Sequence, residues 1–529
     1  MTNEKAQRML SRRDVLKLAG IAAVTLPFAT IACAGDEGTD GSTGVLLRSR
    51  ARLPEPFRIP LSMPPVLKPA RRDAATDYYE ISQRPGKVEI LPGLETDIWG
   101  YNGIFPGPTI EARSGRRVVV HHRNELPVPT VVHLHGGKTP PADDGYPIDM
   151  LLPVGGWAAE HSGHTVSGQL SHGERDYVYP LDQPAATLWY HDHRMDFTGP
   201  QVYRGLAGFH LVHDDEEDAL PLPRGDRDIP LMLCDRSFAE DGSLLYPSVD
   251  PSLRGTPGVG DDFMQGVMGD VILVNGAPWP FLEVTNTRYR FRLLNASNAR
   301  RYRLALDPTP RGGQAFVQVG SDVGLLDRPV SHQQIEIAQA ERFDVVVDFS
   351  AYPIGTQVTL TNQLGSGTTS RVMRFHVTRE AKEDSTVPSR LIESRRLTRS
   401  DAVATRTLRF ARGAHGPSGR RGTVWTINDQ TFDPGRVDAQ PSLGATEIWR
   451  LTTNVHHPVH LHLAHFQVLS RGEMAPGPYD AGWKDTIDMR SDETAEIIAR
   501  FTGFRGRYVF HCHNLEHEDM AMMGNLEVV

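Results

Sequence analysis

The sequence predicts an all-β protein built from three β-sandwich domains in tandem. Its 529 residues are too many for one hydrophobic core. Gly and Pro are abundant, at 49 and 39 residues, which favours a turn-rich β architecture over a helical one. A β-rich run, an Asn-Gly or Asn-Asp turn and an aromatic residue recur in that order at domain-length intervals, at 98–106, 271–280 and 424–432.

Changes in composition place the domain boundaries. An acidic, Pro-rich stretch begins at Asp214, and a second charged stretch with little apolar periodicity spans 379–401. The predicted domains are therefore 46–214, 215–380 and 381–529, and residues 1–45 are assigned to a signal and a flexible polar tether.

The N-terminal segment is typical of an export signal. Arg12 and Arg13 precede an apolar run at 18–32, which is shorter than the roughly 20 residues of a membrane span. This pattern predicts the twin-arginine route, with a Sec signal as the alternative. Cys33 fits both a small-residue cleavage site and a lipobox. The protein is thus expected in the periplasm or outside the cell, either soluble or as a lipoprotein anchored at Cys33.

Charge and cysteine content exclude two classes of protein. The formal net charge of -9 argues against a nucleic-acid partner, because nucleic-acid binding requires a basic face. Only three cysteines are present, so the chain is not a disulfide scaffold.

Paired histidines indicate a metal cluster. Side chains at positions i and i+2 of a strand point to the same face, so a His-x-His pair on a strand can aim both imidazoles at one ion. Four such pairs on apolar, strand-like segments are hard to explain except by metal. The pairs are His133/His135, His191/His193, His460/His462 and His511/His513.

A second metal site follows from the same alternation. Cys512 lies between the two histidines of the last pair, so its thiolate points to the opposite face of the strand. His457 lies three residues before its pair and also points away from it, and His517 and Met522 follow Cys512 closely enough to return to it. Two His, one Cys and a weak axial Met describe a blue-copper electron-transfer site. The second domain carries no such pair and is predicted to be a copper-free spacer.

These motifs resemble those of the multicopper oxidase family, over nearly the whole chain after the signal. The matching stretches are 133–136, 189–193, 457–462 and 511–522. Within the family the sequence is most similar to bacterial spore-coat laccase, bilirubin oxidase and phenoxazinone synthase, with which it shares 189–193, 482–487 and 517–519. The resemblance implies cupredoxin-like Greek-key domains and four copper ions.

The resemblance also implies a role for each ligand. The type 1 copper takes His457, Cys512, His517 and Met522; the type 2 copper takes His133 and His460; one type 3 copper takes His135, His191 and His513; and the other takes His193, His462 and His511.

The implied activity is that of a laccase-like oxidase. A phenolic, aminophenolic or bilirubin-like reductant loses one electron at a time at the type 1 copper, and Cys512 passes the electrons to the trinuclear cluster, where dioxygen becomes water. Glu518, directly after His517, and Asp144, nine residues after His135, are expected to donate protons. The partners are then a small-molecule reductant and dioxygen, and a monomer is expected.

Two alternatives and one departure from the relatives remain. A cuprous oxidase for copper tolerance is the second reading, although no dense Met run is present among the 14 Met. A copper-free structural scaffold is the third.

Only a short segment, 471–481, separates two strands where the spore-coat laccase has a long loop over its substrate pocket, so a more open pocket is expected at the type 1 site.

Overall fold

The protein is described by a computed structural model over residues 44–157, 168–415 and 421–529. Over this part of the chain it forms 34 strands and three short α-helices, which confirms the predicted all-β fold. The expected signal at Arg12 and Arg13 and the expected anchor at Cys33 lie outside the described residues. None of the described helices is both long enough and apolar enough to cross a bilayer.

The N-terminal part of the chain forms the first pair of sheets. One sheet has the strand order β10-β6-β3-β2 with β4 also on β3, and the other has the order β5-β12-β11-β7. The strands are β1 (Val45–Leu46), β2 (Arg71–Arg72), β3 (Thr76–Val88), β4 (Thr96–Tyr101), β5 (Gly107–Arg113), β6 (Arg117–Asn124), β7 (Val132–His135), β8 (Leu151–Leu152), β9 (Ser171–His172), β10 (Glu174–Tyr179), β11 (Ala186–Asp192) and β12 (Ala207–His213), with helix α1 at Thr198–Tyr203.

The middle of the chain forms a second pair of sheets after helix α2 (Asp215–Ala219). A seven-stranded sheet has the order β16-β15-β13-β18-β23-β20-β21, and a five-stranded sheet has the order β17-β25-β24-β19-β22. The strands are β13 (Asp228–Arg236), β14 (Val267–Met268), β15 (Val271–Val274), β16 (Ala277–Pro278), β17 (Phe281–Thr285), β18 (Arg288–Asn295), β19 (Tyr302–Asp307), β20 (Phe316–Ser321), β21 (Gly324–His332), β22 (Gln334–Ile337), β23 (Arg342–Asp348), β24 (Gln357–Asn362) and β25 (Arg371–Arg379).

The C-terminal part forms the third pair, with strand orders β27-β26-β28-β32-β30 and β31-β29-β33-β34. The elements are β26 (Ala404–His415), β27 (Arg421–Ile427), β28 (Thr446–Thr453), β29 (His457–Leu461), β30 (Phe466–Arg471), β31 (Thr486–Met489), β32 (Thr494–Arg500), β33 (Gly506–Cys512), helix α3 (Leu515–Asp519) and β34 (Met523–Val528). The three pairs follow the predicted order of domains, whose bounds stay predictions.

The first described residues do not join the first pair of sheets. Strand β1 pairs in parallel with β14 in the middle of the chain, and Pro60 bridges to Phe281. Leu53 and Phe57 pack against the apolar core of the second pair, which explains why this segment lies against the second pair and not the first.

Candidate metal centre

The paired histidines lie on two pairs of neighbouring strands. In the first pair of sheets β11 lies antiparallel to β7, with His191 opposite His133. In the third pair β29 lies antiparallel to β33, with His460 opposite His511. The second histidine of three of these pairs lies one residue beyond its strand, in the continuing extended chain. Each strand therefore presents its two imidazoles on one face.

The two faces meet, and their imidazole nitrogens form three groups. The ligand atoms of each group lie within 4.8 Å of one another. In one of them, Nε2 of His511 lies 3.2 Å from Nε2 of both His193 and His462. The groups are His133/His135/His460, His135/His191/His513 and His193/His462/His511. All eight histidines are at most 1% exposed.

The chemistry of these nitrogens fits metal ions. Among the described residues, Nε2 of His133, His191 and His460 and Nδ1 of His135 are buried and have no hydrogen-bond partner. Burial lowers the pKa of each of these four imidazoles well below its ordinary value, so they are neutral, the form that binds a metal. Unpartnered buried polar atoms are costly, and metal ions bound by the groups would satisfy them.

The opposite ring nitrogens are held by acceptors, which orients the rings. Nδ1–H of His133 donates to the backbone oxygen of Asp144 at 2.5 Å, and Nδ1–H of His460 donates to that of Asp485 at 2.9 Å. Nδ1–H of His462 donates to the Asp144 carboxylate at 2.7 Å. Such outer hydrogen bonds select the tautomer and aim the free nitrogen at the metal.

The two carboxylates expected to donate protons both lie at this cluster. Glu518 has its oxygens 3.2 Å from Nδ1 of His511 and 3.4 Å from Nδ1 of His193. Burial alone would raise the pKa of Glu518, but the neighbouring imidazoles outweigh burial and lower it. Burial raises the pKa of Asp144 to about 8. Each carboxylate is 1% exposed, so bulk water does not reach it.

A separate group forms on the opposite face of β33. The Sγ of Cys512 lies 3.4 Å from Nδ1 of His457 and 3.6 Å from Nδ1 of His517, and these two nitrogens are 3.2 Å apart. Met522 is fully buried in the same apolar cluster as Cys512, and its backbone oxygen accepts from the Cys512 N–H at 3.2 Å. The structure thus brings together the atoms of a thiolate-imidazole site.

The edge of this second group is covered by a segment from the middle of the chain. Nε2–H of His517 donates to the backbone oxygen of Gln265 at 3.1 Å. The Trp425 ring stacks on the His517 ring with centroids 3.6 Å apart, and its indole N–H donates to the Met264 oxygen at 3.1 Å. His457 and His517 are 0% exposed. The more open pocket expected from the short 471–481 segment stays a prediction; at the ligand edge itself, residues 264–265 cover the His517 ring.

Sequence reasoning missed Asp485 and Arg342. Oδ1 of Asp485 lies 3.1 Å from Nε2 of His135, and Arg342 on β23 binds both oxygens of this carboxylate. The only sequence signal was the 482–487 stretch shared with relatives, which contains Asp485 without indicating a role. Among the described residues the second pair of sheets supplies no member of the ligand groups. That this pair is a copper-free spacer stays a prediction, and Arg342 on β23 additionally gives it a contact with Asp485 beside the cluster.

Comparisons with known proteins agree on one family. Two family models described as multicopper oxidase match residues 83–217 and 410–529. The chain is 39% identical to a laccase of Bacillus stratosphericus, over 90% of this chain and 99% of the relative, and 35% identical to a bilirubin oxidase of Albifimbria verrucaria, over 92% and 84%. The solved structure of a laccase from Pediococcus acidilactici is similar with a TM-score of 0.78 and 33% identity, covering 91% of this chain and 96% of that one.

Proposed function

Because the chain belongs to the multicopper oxidase family, and is therefore a copper-dependent oxidoreductase with dioxygen as its acceptor, we propose that it is a four-copper enzyme of the laccase type. The observation that carries this proposal is the position of two ligand groups on opposite faces of one strand. His511 and His513 belong to the imidazole cluster, and Cys512 between them belongs to the thiolate-imidazole group.

Each proposed copper ion is assigned to a group of ligand atoms that lie close together. His457, Cys512 and His517, with Met522 beside them, would hold a type 1 copper. The imidazole cluster would hold the other three: type 2 on His133 and His460, one type 3 on His135, His191 and His513, and the second type 3 on His193, His462 and His511. When bound, these ions supply one-electron oxidation of the reductant and four-electron reduction of dioxygen.

The chain itself supplies a covalent path between the two ligand groups, a buried site and the groups that carry protons. Cys512 is joined through its own peptide bonds to His511 and His513, which makes the strand a short covalent path between the two groups. Four one-electron oxidations and four protons convert one dioxygen to two waters. Asp144 and Glu518 contact cluster imidazoles directly, so we assign them as the groups that hold and release those protons.

The proposed reductants are phenols, aminophenols or bilirubin-like compounds, as the names of the laccase and bilirubin oxidase relatives suggest. Since His517 lies under residues 264–265, the electron would enter through this cover rather than by direct contact with the imidazole.

We further propose a monomer exported by the twin-arginine route, with Cys33 either lipidated or removed. Fractionation of cells and mass spectrometry of the mature N-terminus test the export and the fate of Cys33.

The decisive experiment is oxygen uptake by copper-loaded protein, comparing Cu(I) with phenols, o-aminophenol and bilirubin at equal concentration. The proposal expects rapid uptake with organic reductants, four one-electron equivalents consumed per dioxygen and no accumulated peroxide. A strong preference for Cu(I) would make the protein a cuprous oxidase instead. Absence of blue absorbance after copper loading would refute the type 1 assignment.

A further inference from the structure

Arg342 is a fully buried cation that links all three pairs of sheets. It begins strand β23 in the second pair and is 0% exposed. Its Nε–H donates to the Thr187 oxygen on β11 of the first pair at 2.9 Å. Its remaining hydrogen bonds go to the backbone oxygens of Ala340 and Asp322, at 2.8 and 2.9 Å, and to both carboxylate oxygens of Asp485 in the third pair.

Asp485 in turn contacts the imidazole cluster. Its Oδ1 accepts from Nε2–H of His135 at 3.1 Å and from the Thr486 hydroxyl at 2.9 Å. Its backbone oxygen accepts from Nδ1–H of His460 at 2.9 Å. Asp485 therefore fixes the proton of His135 on Nε2. Nδ1 of that ring has no hydrogen-bond partner and is the atom that belongs to the ligand group.

The backbone beside His135 is packed against this pair. Gly136 has φ +84, and a Cβ placed there would lie 2.8 Å from Nη2 of Arg342 and 2.8 Å from Oδ2 of Asp485. The guanidinium and the carboxylate thus lie directly on the chain that follows the ligand. An Arg-carboxylate pair with two parallel bonds sets orientation as well as charge, and a lysine ammonium cannot reproduce it.

We propose that Arg342 is a positioning residue of the oxygen-reducing cluster, acting through Asp485 to hold His135 in its ligating orientation. The inference rests on the proposed copper assignment. It gives the second pair of sheets a role in the reaction beyond connecting the other two. The type 1 group lies on the other face of β33 and makes no contact with Arg342 among the contacts described here.

The test compares Arg342→Lys with a matched control, Arg292→Lys. Arg292 is also buried, lies on the neighbouring strand β18 and pairs with a carboxylate, Asp228, but that carboxylate contacts no cluster histidine among the residues described. Both variants should lose similar thermal stability. Only Arg342→Lys should slow the reoxidation of reduced enzyme by dioxygen, by about 10- to 100-fold as for other outer-sphere changes. Anaerobic bleaching of the blue absorbance by reductant should stay within twofold in both.

Electron paramagnetic resonance and copper content give readouts independent of turnover. In Arg342→Lys the copper content should fall below that of wild type, because His135 is assigned to a type 3 copper, while the type 1 signal is retained. Arg342 is proposed to act through Asp485. Adding Arg342→Lys to Asp485→Asn should therefore cause little further loss of copper content or of reoxidation rate.

The outcomes separate the two proposals. Wild-type protein that binds no copper at the cluster would overturn the assignment and this inference together. Wild-type protein with a normal cluster, combined with an Arg342→Lys variant whose signals and reoxidation match those of Arg292→Lys, would overturn the inference alone. Effects of Arg342→Lys and Asp485→Asn that simply multiply would overturn it as well.

Discussion

Replacing Glu518 with Gln should slow oxygen reduction without affecting oxidation of the reductant. The carboxylate is 1% exposed and has its oxygens 3.2 and 3.4 Å from Nδ1 of His511 and His193, so water cannot take its place. A glutamine keeps the shape and removes the proton-carrying group. Loss of a group that takes up and releases protons usually costs 10²- to 10⁴-fold, so we expect kcat to fall by at least about 100-fold. This corresponds to about 2.7 kcal/mol of activation free energy.

The assay should separate the two half-reactions by stopped flow. Anaerobic bleaching of the blue absorbance should match that of wild type, and reoxidation by dioxygen should carry the whole defect. Glu516→Gln is the matched control, because Glu516 is an equally buried carboxylate on the same helix α3. It accepts from Tyr246, Asn298 and the backbone of Val267, whereas the Glu518 oxygens lie beside cluster histidines. A Glu518→Gln variant within threefold of wild type, or an equal reoxidation defect in the control, would refute the reasoning.

Three further predictions concern other sites. Cys512→Ser should abolish the blue absorbance while the imidazole cluster still binds copper, as measured by optical spectra and metal content. Burial alone would raise the pKa of Glu217, but Arg292 and its neighbours hold it well below its ordinary value. The difference in unfolding free energy between wild type and Glu217→Gln, measured by urea unfolding, should therefore be constant from pH 7 to about pH 4.3 and shrink as the pH falls further. Lys484→Met leaves two buried carboxylates, each 3.1 Å from the ammonium, without this cation and should destabilise the fold by about 3–5 kcal/mol in urea unfolding. The control Lys87→Met, at an exposed pair, should leave the stability nearly unchanged.

The ligand groups could be anticipated because they depend on local alternation. Cys512 and its neighbours His511 and His513 lie at the end of a regular extended strand, so parity alone assigns them to opposite faces. The all-β fold followed in the same way from turn chemistry and repeated patterns. Both inferences use only residues close together in sequence.

The contacts that orient the ligands could not be anticipated in this way. Arg342 and Asp485 are separated by 143 residues, and no periodicity relates them. The cover over His517 comes from Gln265, 252 residues away. Such contacts arise from the way the three pairs of sheets dock together, which depends on their shape and not on any short motif. No short pattern in the middle of the chain therefore indicated that Gln265 and Arg342 lie beside the two ligand groups.

The division of the imidazole cluster between the two ends of the chain has a consequence for how the enzyme matures. His193 and His511, which meet at 3.2 Å, are 318 residues apart in sequence. Closing so long a loop is entropically costly and slow, so none of the three imidazole groups is complete until the N-terminal and C-terminal sheets have docked. Copper at the imidazole cluster cannot nucleate folding as zinc does in a zinc finger. The N-terminal and C-terminal sheets must therefore dock before copper can enter the imidazole cluster.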